Sequence, residues 1–277
     1  MSEVCVVTGA NAGIGLAASH KLIERGATVV MVARSRERLE TAQRLVGGDS
    51  HSLVCDLGDL TAVRRLAQEI TTRFHKVDVL INNAAIFDLT VKEPMFSSQG
   101  HEQIWAVNHL GPFLLTQLLL SHLRDSEGRV VTISSQGLQA KPGLELDFGD
   151  LDSRRDFATT KAYYRSKLAQ CMFAQSLQAG ENSVSSNAVR VTNVAVPDDR
   201  LPDLNAFTLW VYKQKRRLAL LPQEMAETYV WLALDADLKG AYVDHHHKTV
   251  PWPKKSRDQA ARERLWSISV DQVGQVA

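Results

Sequence analysis

A tyrosine and a lysine stand four residues apart in the segment Tyr163-Tyr164-Arg165-Ser166-Lys167. On a helix, side chains at positions i and i+4 lie on one face, so the phenol and the ammonium would be neighbours. An ammonium favours the phenolate and is expected to lower the pKa of the tyrosine from its usual ~10 towards working pH. Tyr163 could then give a proton to a carbonyl oxygen during reduction, or take one from an alcohol during oxidation.

Ser135 ends an apolar run at residues 130–134 that indicates a β-strand. In open parallel sheets, ligands bind beyond the carboxyl ends of the strands, so this hydroxyl could hold a substrate oxygen beside Tyr163. Ser134 is the alternative hydroxyl, although neighbouring strand residues point to opposite faces of a sheet. Tyr164 is likewise the alternative to Tyr163, since it also lies within one helical turn of the lysine.

The first apolar run, residues 4–8, leads into a glycine loop and then into a helical pattern. The loop has the GxxxGxG sequence Thr8-Gly9-Ala10-Asn11-Ala12-Gly13-Ile14-Gly15. Bare backbone at Gly9 and Gly13 lets a pyrophosphate approach, and the N–H groups that begin the helix face its charge. A tight turn without a ligand is the alternative interpretation of the glycines alone. We predict a dinucleotide site at Gly9, Asn11, Gly13, Ile14 and Gly15.

The end of the second apolar run indicates which dinucleotide would bind. Folds that bind NAD place an acidic residue there for the ribose 2′-OH, but this chain has Ala33 followed by Arg34. A guanidinium can bind a 2′-phosphate that a carboxylate would repel, and Arg36 and Arg38 add positive charge nearby. A solvated surface arginine is the alternative. The predicted cofactor is NADP(H).

These residues belong to an alternation of strand and helix patterns. Short apolar runs occupy residues 4–8, 28–33, 52–55, 79–82, 130–134, 189–196 and 241–243. Helical patterns occupy residues 13–25, 36–46, 60–74, 102–123, 160–177, 223–234 and 256–269. Near-continuous apolar strands joined by amphipathic helices are typical of a parallel sheet covered on both faces. The pattern predicts one α/β domain over residues 1–277, a Rossmann-type doubly wound sheet.

Composition narrows the class of partner. Apolar residues make up 44% of the chain, charged residues 23%, and the net charge is +1. This balance gives no electrostatic reason to expect a nucleic acid, and no apolar run is long enough to span a bilayer. The three cysteines form no metal-ligand pair, and the adjacent His245, His246 and His247 would point to alternate faces of a strand. We expect reduced thiols, no metal site and a cytoplasmic protein.

The motifs together resemble the short-chain dehydrogenase/reductase family. The glycine loop resembles the TGxxxGxG loop of that family, and Asn82-Asn83-Ala84-Ala85 resembles its NNAG turn. Asn108 matches the helix asparagine, Ser135 the catalytic serine, and Tyr163 to Lys167 the YxxxSK signature. The resemblance covers nearly the whole chain and is strongest to the branch of retinol dehydrogenases and WW-domain oxidoreductases.

This resemblance implies an activity and a set of site residues. It implies hydride transfer between nicotinamide and a small-molecule carbonyl/alcohol pair, by a protein that could form a homo-oligomer. It implies that Lys167 binds the nicotinamide ribose and that Asn108 anchors a water of the proton relay. Asp56 would lie beside the adenine, although it could instead begin a turn or cap a helix. The implied catalytic set is Ser135, Tyr163, Lys167 and Asn108. The implied cofactor set adds Arg34, Asp56, Leu57, Asn82, Ala84, Tyr163, Lys167 and Pro197 to the glycine loop.

The chain departs from the family pattern after the sixth strand. Asp198 follows Pro197 where the family has glycine, and no threonine stands at the expected offset. This departure motivates an alternative function, a nucleotide-binding scaffold or redox-sensing interaction protein with weakened catalysis. The segment at 197–222 is expected to cover the substrate. Its Leu204, Phe207, Trp210 and Tyr212 could contact a bulky apolar ligand or pack on the body of the protein.

Overall fold

Seven parallel strands form one sheet in the order β3-β2-β1-β4-β5-β6-β7 in the computed structural model, which describes residues 2–195 and 219–274. The strands are β1 (Val4–Thr8), β2 (Thr28–Ala33), β3 (Ser50–Val54), β4 (Val79–Asn82), β5 (Arg129–Ser135), β6 (Ser185–Val191) and β7 (Tyr242–Val243). Every neighbouring pair runs parallel. The order and direction are those of a doubly wound Rossmann-type sheet, as predicted.

Helices connect the strands and cover both faces of the sheet. They are α1 (Gly13–Glu24), α2 (Arg36–Val46), α3 (Leu60–Arg73), α4 (Gln103–Trp105), α5 (Gly111–Leu118), α6 (Leu120–Asp125), α7 (Thr159–Gly180), α8 (Pro222–Val230) and α9 (Gln259–Val273). Among the residues that the structure describes, two π-helical turns extend helices, at Ala106–Leu110 and Trp231–Asp235, and two 3₁₀ turns lie at Gln136–Ala140 and Lys254–Arg257.

The core has two halves because alternate strand residues point to opposite faces. Val6 pairs with Val30 on the face covered by α3, α5, α7 and α9. Cys5 pairs with Val29 on the other face, under α1, α2 and α8. Both faces are buried, which explains why these strands are apolar at every position except Thr8 and Thr28 at their ends.

The strand order reverses between β1 and β4, since β2 and β3 lie on one side of β1 while β4 to β7 lie on the other. At such a reversal the loops that follow the two central strands diverge and leave a crevice at the carboxyl edge of the sheet. The glycine loop follows β1 and Asn83 follows β4, so the fold itself opens a cleft between the motifs that the sequence singled out.

Three predicted elements differ most from those observed, and one of them, the last helix, was expected at 256–269 and lies at Gln259–Val273. The sixth strand was expected at 189–196 and lies at Ser185–Val191, because its polar residues are satisfied inside the protein. Ser186 Oγ donates to the carbonyl of Ala174, and Asn187 Nδ2 donates to that of Leu238. The single helix expected at 102–123 is divided into α4, a π turn, α5 and α6. Most of the predicted substrate-covering segment lies outside the described residues.

Candidate active site

A cleft of 370 Å³ opens at the carboxyl ends of β1 to β4. Predicted cofactor residues line it, namely Gly9, Asn11, Ile14, Arg34, Asp56, Leu57 and Ala84. It is also lined by Ala12, Val32, Ala33, Ser35, Arg38, Cys55, Asn83, Ala85, Ile86 and Val107. The structure thus brings the glycine loop, the end of β2 and the turn after β4 to one surface, the place where open α/β sheets bind ligands.

The glycine loop is shaped by contacts within the protein. Gly9 has φ +68°, and a Cβ there would lie 2.9 Å from the Cα of Ala84. A Cβ at Gly15 would lie 2.5 Å from the carbonyl oxygen of Gly9, so α1 packs against the end of β1 only with glycine. Helix α1 begins without a side-chain cap or an acidic first turn, which leaves its N–H groups for an anion. The loop therefore fits a pyrophosphate.

That bare backbone at Gly13 lets a phosphate approach stays a prediction, and the open space at this residue leaves room for it. A Cβ at Gly13 would meet no atom within 4 Å. Gly13 also has φ +56°, a left-handed conformation that glycine adopts most easily, at the point where the loop turns into α1.

Two arginines give the far end of the cleft its charge. Arg34 and Arg38 both line it, Arg34 directly after β2 and Arg38 on the first turn of α2. Ser35 between them caps α2 by accepting from the Arg38 N–H. Ala33 also lines the cleft, so no carboxylate occupies the position that would bind a ribose 2′-OH. Arg36 does not line the cleft and lies 3.8 Å from Glu40.

Asp56 combines two of the roles considered for it. It lines the cleft, and its Oδ1 accepts a hydrogen bond from the N–H of Gly58 at 2.9 Å. The carboxylate therefore holds a turn and is still available beside the cleft. The cap of α3 is the next acidic residue, Asp59, whose Oδ1 accepts from the N–H of Thr61.

The two asparagines after β4 have different environments. Asn82 is 3% exposed and donates to Thr116 Oγ1 at 3.0 Å, which places it behind the cleft. Asn83 lines the cleft and donates to the carbonyl of Thr8 at 2.8 Å, so it ties the glycine loop to β4. A role for Asn82 in cofactor binding stays a prediction.

Ser135 and Ser134 face opposite sides of β5. Ser134 is 1% exposed, and its Oγ donates to the carbonyl of Lys167 and accepts from Cys171 Sγ at 3.0 Å. Ser135 is half-buried and hydrogen-bonds to Tyr163, and it accepts from the N–H of Gly137 at 3.2 Å. The structure places Ser135 rather than Ser134 beside the tyrosine.

Tyr163 lies between Ser135 and the half-exposed ring of Phe87, whose centroid is 4.2 Å from the tyrosine ring. Burial raises the pKa of Tyr163 to about 12, nearby Tyr164 adds to the rise, and the hydrogen bond with Ser135 opposes it. The expectation that a lysine lowers this pKa is therefore wrong for this structure, because desolvation of the phenolate dominates. At neutral pH the phenol is protonated. Tyr164 instead packs against Gly137.

Lys167 is 3% exposed and lies one turn beyond Tyr163 on α7. Its Nζ donates to the carbonyl of Ile133 at 2.8 Å and lies 5.8 Å from the centre of the Tyr163 ring. Burial lowers the pKa of Lys167 to about 8. The ammonium is held by a main-chain carbonyl, and burial of the phenol remains the largest influence on the pKa of the tyrosine.

Asn108 lies in the π turn between α4 and α5, and its side chain is held on both ends. Its Oδ1 accepts from the N–H of Ile86 at 2.7 Å, and its Nδ2 donates to Ile86 O and Ser166 Oγ. Its backbone carbonyl accepts from Gln170 Nε2 at 2.6 Å. Asn108 thus joins the turn after β4 to α7, and its role in anchoring a water stays a prediction.

Phe87 and Gln170 belong to this site and were missed at the level of sequence. Gln170 stands three residues after Lys167 and so shares its helix face, a spacing that could have drawn attention to it. No sequence pattern marks Phe87. Pro197, by contrast, was predicted to contact the cofactor and lies outside the described residues.

Sequence comparison places the chain among known proteins. The family model described as short chain dehydrogenase matches residues 3–145, just over half of the chain. The chain belongs to the short-chain dehydrogenase/reductase family. Membership makes it an oxidoreductase that acts on a small molecule with a nicotinamide dinucleotide.

Relatives that match nearly the whole of this short-chain dehydrogenase include retinol dehydrogenases, in agreement with the branch expected from the motifs. Retinol dehydrogenase 13 of Homo sapiens is 32% identical, with 98% of this chain and 85% of the relative covered. Retinol dehydrogenase 14 of Mus musculus is 33% identical, with 98% and 86% covered. Polyprenol dehydrogenase of Mus musculus is 33% identical, with 96% and 82% covered.

Solved structures share the fold. A protein from Mycobacterium paratuberculosis superposes with a TM-score of 0.75 at 28% identity, covering 98% of this chain and 93% of that one. A Shigella flexneri short chain dehydrogenase solved with NADP superposes with a TM-score of 0.67 at 23% identity, covering 88% and 97%.

Within residues 2–195 and 219–274, no helix combines the length and apolar character needed to cross a bilayer. The same part of the chain has no cluster of three or more histidine, cysteine, aspartate or glutamate side chains placed to hold a metal ion. A cytoplasmic location stays a prediction.

Proposed function

We propose that the chain is an NADP(H)-dependent oxidoreductase that interconverts a bulky apolar carbonyl compound and its alcohol, with Tyr163 as the acid/base. The observation that carries the proposal is the pairing of Ser135 with Tyr163 beside a nucleotide-shaped cleft. Ile86 lines that cleft, and the next residue, Phe87, stacks on Tyr163. The proton donor is therefore adjacent to the cleft rather than on a separate surface.

The protonated state of Tyr163 suits it to reduction. With its pKa raised to about 12, the phenol carries its proton at neutral pH and can give it to an oxygen that gains negative charge. Ser135 can hold that oxygen by a hydrogen bond, in the manner of an oxyanion donor. Bound NADPH would supply the hydride. Lys167 would add positive charge beneath the site while its pKa of about 8 keeps it protonated.

Two observations support the choice of NADP(H). Arg34 and Arg38 line the end of the cleft where an adenosine ribose would lie, and Ala33 leaves room there for a 2′-phosphate. A guanidinium forms paired, charge-assisted hydrogen bonds to phosphate oxygens.

Two observations support an apolar substrate. Phe87 is 45% exposed beside Tyr163, and Leu89 on the same loop is 38% exposed. Relatives of this chain are named for retinol and polyprenol, both bulky apolar alcohols. Exposed apolar side chains next to a catalytic group are expected where an apolar ligand binds.

The test is to incubate the purified protein with NADPH and a panel of ketones, aldehydes and quinones while following the absorbance at 340 nm. We expect oxidation of NADPH with apolar carbonyl compounds. Tyr163→Phe should lower the rate about 100-fold or more with NADPH affinity nearly unchanged, since the phenol acts on the substrate oxygen. Tyr164→Phe is the matched control and should retain full activity. Near-full turnover by Tyr163→Phe would show that another group is the acid.

A second candidate, a nucleotide-binding scaffold with weakened catalysis, is favoured by one observation. Lys167 Nζ is engaged by the carbonyl of Ile133 and does not lower the pKa of Tyr163. The same panel separates the candidates. Tight NADPH binding without oxidation of NADPH by any carbonyl compound would support the scaffold and contradict the enzyme.

A further inference from the structure

A second cavity, of 240 Å³, lies away from the nucleotide cleft, between α7, β7 and the loop before α9. Its floor consists of buried core side chains, Leu138, Leu168 and Tyr242. Trp252 forms a wall, stacked on Tyr242 with ring centroids 5.0 Å apart, and its Nε1 donates to the carbonyl of Gly240. Because these side chains belong to the core or are fixed by stacking, the cavity is an apolar surface that does not depend on a mobile loop.

The rim of this cavity is positively charged. The cations that line it are Lys141, Lys254, Lys255 and Arg257, and none of its described lining residues is acidic. Among described residues, Lys255 is the member of this group with a carboxylate partner, Glu145. Lys141 Nζ lies 5.3 Å above the Tyr164 ring, and Arg257 donates to the carbonyl of Trp252. The whole chain has a net charge of only +1, so this is a local surplus.

An apolar floor with a cationic rim is complementary to an organic anion that has an apolar body. We infer that this cavity binds a medium-chain carboxylate, with its alkyl chain against Leu138, Leu168 and Trp252 and its carboxylate at Lys141 and Lys254. The apolar part contributes through burial, and the head group contributes charge-assisted hydrogen bonds. A single short chain suits the size, since cavities for drug-sized ligands run from about 300 to 1,000 Å³.

The position of the cavity connects it to the catalytic elements without making it part of the site. Leu138 lies on the 3₁₀ turn that follows Ser135, and Leu168 directly follows Lys167 on α7. The proposed ligand therefore contacts the outer surface of the elements that carry the proposed acid and its partner.

Isothermal titration with octanoate, octanol and inorganic phosphate tests the inference. We expect octanoate to bind one site with a Kd below about 1 mM, and octanol and phosphate each to bind at least about tenfold more weakly. The double variant Lys141→Gln/Lys254→Gln should lose at least about tenfold in octanoate affinity. Both lysines are exposed, so the fold should survive, and an unchanged unfolding temperature would verify this.

The matched control is Arg34→Gln/Arg38→Gln, which removes two cations from the nucleotide cleft and should bind octanoate like the parent. Several outcomes would overturn the inference: no binding of octanoate, equal binding of octanol, binding of phosphate alone, or octanoate affinity unchanged in the lysine variant. Loss of octanoate binding in the arginine variant alone would place the anion in the nucleotide cleft. None of these measurements depends on turnover. The proposed function can therefore be contradicted while this binding site is confirmed, or the binding site contradicted while the function is confirmed.

Discussion

Lys167 is buried on every side, and the consequence is a pKa lowered to about 8. A cation with a depressed pKa is charged below that value and neutral above it. If the charge of Lys167 stabilises the negative charge on the oxygen that Tyr163 protonates, the rate of carbonyl reduction should decline as pH rises through about 8. The measurement is kcat/KM between pH 6 and 10, with the panel compound that is reduced fastest, because kcat/KM reports groups of the free enzyme. Lys167→Arg should keep its charge and remove the decline, even at a lower rate. A flat profile in the parent enzyme up to pH 10 would refute the role.

Arg34 determines the expected cofactor preference. Charge-assisted hydrogen bonds to a 2′-phosphate are worth about 1.5–3 kcal/mol, or roughly ten- to a hundredfold in affinity. We therefore expect NADPH to bind at least about tenfold more tightly than NADH. Arg34→Ala should remove most of that difference, and Ala33→Asp should reverse it by repelling the phosphate. Arg36→Ala is the control, since Arg36 does not line the cleft. The measurement is isothermal titration of each protein with both cofactors. Equal affinities of the parent for NADPH and NADH would contradict the NADP(H) assignment.

Single residues also show where sequence reasoning stops. The types and spacing of Ser135, Tyr163 and Lys167 predicted their proximity, because strand ends and helix faces follow regular geometry. The pKa of Tyr163 was not predictable. It depends on how deeply the folded chain buries the phenol, and one neighbour of that ring, Phe87, lies 76 positions earlier in the chain.

At the scale of elements, local signals predicted some boundaries and tertiary contacts decided others. Helix α2 begins and ends where expected because Ser35 caps it and Gly47, with φ +65°, ends it. Strand β6 was displaced in the prediction because Ser186 and Asn187 are polar, and only the folded chain supplies their partners. The sequence therefore predicted elements best where the chain's own neighbours define them.

The break between α4 and α5 follows from a proline. In a regular helix the carbonyl of Asn108 would accept from residue 112, but Pro112 has no N–H. Gln170 of α7 supplies the missing donor at 2.6 Å and is itself 2% exposed. Gln170→Leu would leave a buried carbonyl without a donor, so we expect a loss of about 1–3 kcal/mol in the free energy of unfolding by urea.

Gln117 on α5 is the matched control for this change. Its Nε2 is buried without a partner among the described residues, so Gln117→Leu removes no hydrogen bond of that atom. We expect the stability of this variant to be unchanged or slightly higher. Equal losses in the two variants would mean that the Gln170 contact with Asn108 contributes nothing specific.

At the scale of the molecule, α9 closes one face of the domain. Trp266 packs edge-on against Phe113 of α5, with centroids 5.1 Å apart, and stacks on Phe173 of α7. Leu265, 2% exposed, lies in the same core. The contact also contains a titratable group, His109, which is fully buried and lies 2.8 Å from Ser269 Oγ of α9. Ser269 Oγ donates its hydrogen to the carbonyl of Leu265, so it accepts from His109. The neutral ring of His109 therefore carries its hydrogen on Nε2.

This buried histidine should make the fold sensitive to mild acid. Burial lowers the pKa of His109 to about 3, whereas an unfolded histidine titrates near 6.5. The unfolded chain therefore binds a proton that the folded chain does not, and stability is lost as pH falls from about 6.5 towards 3. At pH 5 the loss from this one group is about 2 kcal/mol. His109→Gln keeps a donor for Ser269 but does not titrate, so urea unfolding at pH 7.5 and 5.0 should show a smaller loss by about 2 kcal/mol in the variant. The control is His75→Gln, which replaces an exposed histidine. This variant should lose as much stability between pH 7.5 and 5.0 as the parent. If His109→Gln lost as much as the parent too, the acid sensitivity would have to come from the carboxylates that all three proteins share.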